Sequence, residues 1–135
     1  MEKDLIHTKD YLEYVKVDRY AAYGNFLDRF RECNNQGRQR LIAERPEAHP
    51  DYHVDLAILA ATVEVLVKEY GLSMPKWVSD PIYIQEEPYY GGAENPDYQM
   101  FLEKTALPEF AKRNLFLGDN CMNLSLIHIS EPTRP

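Results

Sequence analysis

The sequence predicts a mostly α-helical fold: a small single-domain helical bundle in which an irregular, proline- and aromatic-rich segment wraps a central helix. Three observations predict it. The stretch 51–70 is almost continuously apolar and is bracketed by Asp51, after Pro50, and by Gly71. The stretch 18–33 begins at Asp18 and carries Tyr20, Tyr23, Leu27 and Phe30 at spacings of three and four. After Leu72, the residues Pro75, Pro81, Pro88 and Pro96 break up a run that holds Trp77, Tyr83, Tyr89 and Tyr90. Spacings of three and four place side chains on one helical face. Asp before a helix accepts from its free N–H groups, and Gly after it tolerates the left-handed closing turn. Proline lacks the N–H that a sheet ladder needs, so the third stretch is expected to be extended and irregular.

The elements follow in order. Residues 1–17 are weakly patterned, with Thr8 as a candidate cap for a short helix through Tyr11, Leu12 and Val15. Asp18 opens the 18–33 helix, and Asn34-Asn35-Gln36-Gly37 ends it with turn-forming residues. A short helix over Arg38 to Glu44 precedes Arg45-Pro46. The 51–70 helix carries Val54, Ala57, Ile58, Ala61, Val65 and Leu66 with apolar neighbours around most of its circumference. Such a helix is covered on several sides and is therefore central. Ile82-Tyr83-Ile84 can pair as a short strand, although the neighbouring prolines favour an irregular path. Gly91-Gly92 marks a loop, Asp97 opens a helix through Met100, Phe101 and Leu102, and Pro108 opens another at its first position. Leu115-Phe116-Leu117 leads toward a last helix. Trp77, Tyr83, Phe101, Phe110 and Phe116 are expected to be largely buried.

The chain has 135 residues, a length for one domain with a real core. Charged residues make up 27% and hydrophobic ones 44%, which excludes a disordered or membrane-embedded class. No secretory or membrane-spanning pattern is present, and Cys33 and Cys121 cannot build a disulfide scaffold, so the expected compartment is the cytoplasm. Residues 124–135 resemble a translated sequencing adapter, which in one frame encodes LSLIHISEPTR and matches Leu124 to Arg134. This tail is expected to be non-native, leaving a single helical domain over 18–123 that is truncated at its C-terminus. The net charge of −7 is unevenly spread. Residues 18–45 hold six Arg against four acids, whereas 46–123 hold five bases against thirteen acids.

No constellation amounts to a catalytic signature, and no catalytic residue, metal or cofactor is assigned. His49 and His53 are four apart beside Asp51 and Asp55, a spacing that can hold a metal on a helix. Pro50 breaks that geometry and no third ligand lies nearby, so a metal-dependent hydrolase ranks third among the readings. Glu86 and Glu87 read as solvated acids rather than an acid–base pair. The six glycines match no phosphate-binding loop. Arg29, Arg31, Arg38 and Arg40 surround a possible helix–turn–helix with Gly37 near its turn, which supports a DNA-binding regulator as the alternative reading. The opposing reading of these arginines is salt bridging to the acidic second half. Tyr and Trp favour protein interfaces, and acidic charge favours a basic partner. That points to Trp77, Tyr83, Glu86, Glu87, Tyr89, Tyr90, Glu94 and Asp97 as partner-binding candidates, or as a lid over the core.

The second half also resembles a family of small, uncharacterised bacterial proteins. The matching residues are Leu59-Ala60-Ala61 through Glu64, Pro75-Lys76-Trp77-Val78, Glu87-Pro88-Tyr89-Tyr90, Pro108-Glu109-Phe110 and Lys112-Arg113-Asn114-Leu115-Phe116-Leu117, over roughly 55–122. Asn120 fits the start of a closing motif whose Arg is missing here. The resemblance implies genes encoded beside nucleotidyltransferase-like proteins of the abortive-infection or toxin–antitoxin kind. It therefore implies a protein partner, with this chain in the antitoxin role, and it supplies no catalytic residue.

Overall fold

The computed structural model describes residues 6–118 and 122. The supposed adapter tail, Cys121 and the expected last helix lie outside the described residues. Among the described residues six α-helices carry the fold: α1 (Tyr11–Val17), α2 (Arg19–Glu32), α3 (Asn35–Leu41), α4 (His53–Tyr70), α5 (Pro96–Thr105) and α6 (Pro108–Ala111). Short 3₁₀ turns fill the gaps, and among the described residues there is no strand, only one parallel bridge between Tyr89 and Leu115. The fold is a small helical bundle, as the sequence predicts.

Helix α4 is the axis. Leu56, Ala57, Leu59, Ala60, Ala61, Val63, Leu66 and Val67 are all buried on it. Helix α2 brings Ala22, Phe26, Leu27 and Phe30, and α1 adds Tyr11, Leu12 and Val15. Aromatic edges join these layers, with Phe26 meeting both Tyr11 and Phe30, and Phe30 meeting Tyr70. The segment 72–95 closes the other side through Trp77, Val78 and Tyr83. Trp77 donates its indole N–H to Ile42 O at 2.9 Å, which anchors that segment to the end of α3.

The helix ends show where the local expectations hold and where they move. Asp18 caps α2 by accepting from the N–H groups of Tyr20 and Ala21. Asn34 caps α3 by accepting from Gly37 N–H, so Gly37 lies inside the helix and the turn precedes it. Gly71 ends α4 in the left-handed conformation at φ 66°. Asp51 does not cap α4: Pro50–Tyr52 forms a 3₁₀ turn, and His49 Nδ1 accepts from Asp51 N–H. Thr8 caps no helix either. Its buried hydroxyl shares its hydrogen between Leu41 O and Glu44 O, at 3.1 and 2.6 Å, and ties the N-terminal segment to the end of α3. Residues 81–83 form a 3₁₀ turn rather than a strand, and α5 starts at Pro96 with Asn95 as its cap.

Three aromatic expectations are corrected. Phe101 is 55% exposed, because Leu102, one residue on and about 100° around the helix, takes the buried position of α5. Phe116 is half-buried and stacks on Tyr90. Tyr20 is exposed, since the buried stripe of α2 runs through Ala22, Phe26 and Phe30. Trp77, Tyr83 and Phe110 are buried as expected.

Two charged side chains, Glu64 and Arg113, sit within this core. Arg113 is 3% exposed and donates to Glu64 Oε1 at 2.7 Å, to Glu109 O at 2.7 Å and to Val78 O at 2.8 Å. The other oxygen of Glu64 takes Lys112 Nζ at 2.7 Å, with Lys68 at 3.4 Å. Burial raises the cost of the Glu64 charge, but hydrogen bonds from Lys112 and Arg113 outweigh it and hold the carboxyl below its usual range.

Arg113→Ala is expected to cost about 3–5 kcal/mol, the penalty for stranding a buried charge, measured by urea unfolding. Adding Glu64→Met should recover part of that loss only, since the Glu109 and Val78 carbonyls still lack their donor. The acid dependence follows from the lowered Glu64 carboxyl: its stabilisation is complete above the unfolded value of about 4.3 and fades as pH falls through the lower folded value. Unfolding midpoints measured across that window should drop more steeply for the wild type than for Glu64→Gln.

Candidate functional site

The N-terminal turn of α4 faces the start of α2 and the chain at Tyr89. Together they enclose a polar cleft of about 170 Å³ lined by Arg19, Tyr20, Asp51, His53, Val54, Asp55 and Tyr89. Its geometry follows from local structure. Asp18 caps α2 and so fixes the direction in which Arg19 leaves it, while the turn at Pro50 sets Asp51 just ahead of α4. Arg19 grips Asp55 with two bonds, Nε at 3.0 Å and Nη2 at 3.3 Å. Burial pushes the Asp55 carboxyl up, and Arg19 offsets this incompletely. Burial likewise pushes the Tyr89 phenol up. The raised Asp55 value means that its ionisation works against folding as pH rises through it, opposite in sign to Glu64.

His53 Nδ1 lies 2.6 Å from Gln85 Oε1, and Gln85 Nε2 donates to Tyr83 O at 3.3 Å. The second bond fixes the amide so that its oxygen faces the imidazole. Nδ1 of His53 therefore carries the proton, and Nε2 is an acceptor in the neutral ring. His49 uses Nδ1 on Asp51 N–H, so both histidines of the suspected metal pair have a nitrogen engaged internally. Among the described residues no group of three or more His, Cys, Asp or Glu side chains is arranged to hold a metal.

A second feature lies on α5. Tyr98, Met100 and Phe101 on α5 are 44%, 53% and 55% exposed, and the Tyr98 and Phe101 rings stack at 6.0 Å. Exposed Glu94, Asp97 and Glu103 lie in and just before the same helix. Consecutive residues join the two features: Tyr89 lines the cleft, while Tyr90 stacks on Phe116 and donates its hydroxyl to Glu103.

The partner-binding candidates separate accordingly. Trp77 and Tyr83 are core residues in edge-to-face contact and present no surface, which corrects their assignment to an interface. Glu86, Glu87, Glu94 and Asp97 are exposed, and Tyr89 and Tyr90 are half-buried at the surface. The exposed trio on α5 was missed because Phe101 reads as core from its type. The available signal was a short helix bearing more large apolar residues than one face can bury.

The arginines of the DNA-binding alternative are mostly occupied. Arg38 donates to Phe30 O, Arg31 O and Asn35 Oδ1 at 3.0, 2.7 and 2.8 Å, and its guanidinium lies 4.1 Å from the Tyr70 ring centroid. It thereby gives Arg31 O a donor at the end of α2 and adds a second donor to Phe30 O, which also accepts from Cys33 N–H. Arg29 pairs with Glu32, and Arg31 reaches Met122 O at 3.4 Å. Arg40 is exposed. Arg19 and Arg45 bridge to Asp55 and Asp80, joining the basic front of the chain to its acidic back.

No family model, curated protein or solved structure matches the chain. No helix among the described residues is long and apolar enough to cross a membrane.

Arg38→Ala is expected to lower unfolding stability by about 2 kcal/mol through lost charge-assisted bonds and the lost ring contact, whereas Arg40→Ala stays within about 0.5 kcal/mol. Urea titration of the two variants side by side checks this. It also shows which of them is usable in a nucleic-acid binding assay.

Proposed function

We propose that this protein is a non-catalytic cytoplasmic binding partner, of the antitoxin kind, for a nucleotidyltransferase-like protein. The observation that carries the reading is the exposed apolar face of α5, where Tyr98, Met100 and Phe101 stand among Glu94, Asp97 and Glu103. Large aromatics left in water beside one sign of charge are the composition of a docking surface, with rings for buried area and carboxylates for orientation. Nucleotidyltransferases bind anionic nucleotides and so present basic clefts, which such a surface complements. Glu86 and Glu87 extend the acidic charge along the same half of the chain. The identity of the partner rests on the family resemblance of residues 55–122.

Co-expression with the product of the adjacent gene is expected to yield a stable complex and relief of that protein's toxicity. Tyr98→Ser with Phe101→Ser should weaken the complex at least about tenfold, as loss of interface aromatics does, while leaving the unfolding midpoint nearly unchanged. A complex indifferent to this pair of changes would contradict the assignment of the surface, and absence of any complex would contradict the function.

A further inference from the structure

The α5 face carries one cation besides its acids. Asp97, Phe101 and Lys104 follow one another at spacings of four and three, which places them in a single row along the helix. All three are exposed, and exposed Met100 flanks the row. Asp97 stands in the first turn of α5 and Lys104 in the last. They lie two helical turns apart, about 10 Å along the axis, too far to pair with each other. No ion pair among the described residues uses either of them. The row therefore has an unpaired charge of opposite sign at each end and an exposed aromatic ring in the middle.

A row with an acid at one end, a base at the other and an apolar centre is complementary to itself when turned end for end. Two α5 helices laid antiparallel bring Asp97 of each copy to Lys104 of the other, and they meet at Phe101 and Met100. This is the symmetry of an isologous dimer, in which one patch satisfies its twin and both ion pairs form at once. Magnitudes set its strength. With ten residues α5 is about 15 Å long, too short to cover the roughly 800 Å² per partner of a stable complex. The net charge of −7 on each copy opposes the approach, but at 0.15 M salt charges more than about 8 Å apart are largely screened. The pairing is therefore weak, with a dissociation constant on the order of 100 µM.

We propose that a second copy of this chain docks antiparallel on α5, through two Asp97–Lys104 pairs around Phe101. The pairing stands on α5 alone. Its role as a cover that the partner must displace rests on the partner-binding reading, because the two occupants exclude each other.

The test is sedimentation of the full chain at 0.15 M salt, from about 20 µM to about 1 mM, a range that brackets the expected dissociation constant. The wild type is expected to pass from monomer to dimer across it. Asp97→Lys and Lys104→Glu each set like charges opposite one another, and each alone is expected to pair at least about tenfold more weakly. Mixed in equal amounts, the two variants regain both attractive pairs and are expected to form a heterodimer of near wild-type strength. Phe101→Ser is expected to stay monomeric, and circular dichroism identifies the variants as folded. A wild type that is monomeric at the highest concentration, a single charge variant that pairs like the wild type, or a mixture that gains nothing over its components would overturn the proposal. The two readings fail separately. A dimer without any complex with the adjacent gene's product removes the partner assignment and keeps the pairing, while a complex formed by a chain that is monomeric throughout removes the pairing alone.

Discussion

Glu64 is buried on α4 among residues that, Thr62 apart, are aliphatic, and the fold is arranged around satisfying it. A carboxylate in that position is costly unless it is paired and fully hydrogen-bonded. Arg113 pairs with it and at the same time donates to Val78 O and Glu109 O. One guanidinium thus ties the axial helix, the Trp77 segment and α6 together. Neither the axial helix nor the Trp77 segment can shift without breaking a buried bond to Arg113. Lys112 and Lys68 complete the second carboxylate oxygen from the solvent side and spread the charge into a small network with Glu109.

The neighbours of Arg113 show how far this constraint reaches. Asn114 adopts φ 63°, a left-handed conformation that Asn tolerates better than most residues. That turn lets its backbone oxygen accept from Tyr89 N–H and its side chain donate to Gln85 O. Leu115 then drops into the core, and Phe116 N–H returns to Tyr89 O while its ring stacks on Tyr90. The irregular segment is held at Val78, Gln85 and Tyr89 by Arg113, Asn114 and Phe116. The cleft inherits its far wall from this arrangement, since Tyr89 is fixed by Asn114 and Phe116, and His53 by Gln85.

Much of the helical frame was legible because it depends on local chemistry. Asp18 and Gly71 act where side-chain type alone dictates, and the apolar density of 51–70 admits few positions other than the centre. Residues whose roles are set by distant partners were not legible. Thr8 looks like a cap until Leu41 and Glu44, more than thirty residues away, are seen to take its hydroxyl. Phe101 looks like core until the single buried position of α5 is seen to belong to Leu102. An acidic, tyrosine-rich back half was visible, and Trp77 and Tyr83, read both as core and as partner-binding residues, close the core. The cleft joins Arg19, Asp55 and Tyr89, whose separations along the chain leave no pattern. The motifs that carry the family resemblance, around Trp77 and Arg113, turn out to be the places where segments are fastened to one another, which explains why they suggest no chemistry.

The Glu64–Arg113 pair spans 49 residues of chain. Contacts of such span form late in folding, because the loop between them must first be closed at an entropic cost. The helices α1 and α2 pack through near neighbours and can associate early, whereas the Glu64 carboxylate has only Lys68 of its own helix beside it until Lys112 and Arg113 arrive. During synthesis the aliphatic helix therefore emerges with a hydrated carboxylate on its buried side. A wrong neighbour packed against that side would strand the charge, whereas Lys112 and Arg113 together satisfy it once they have left the ribosome.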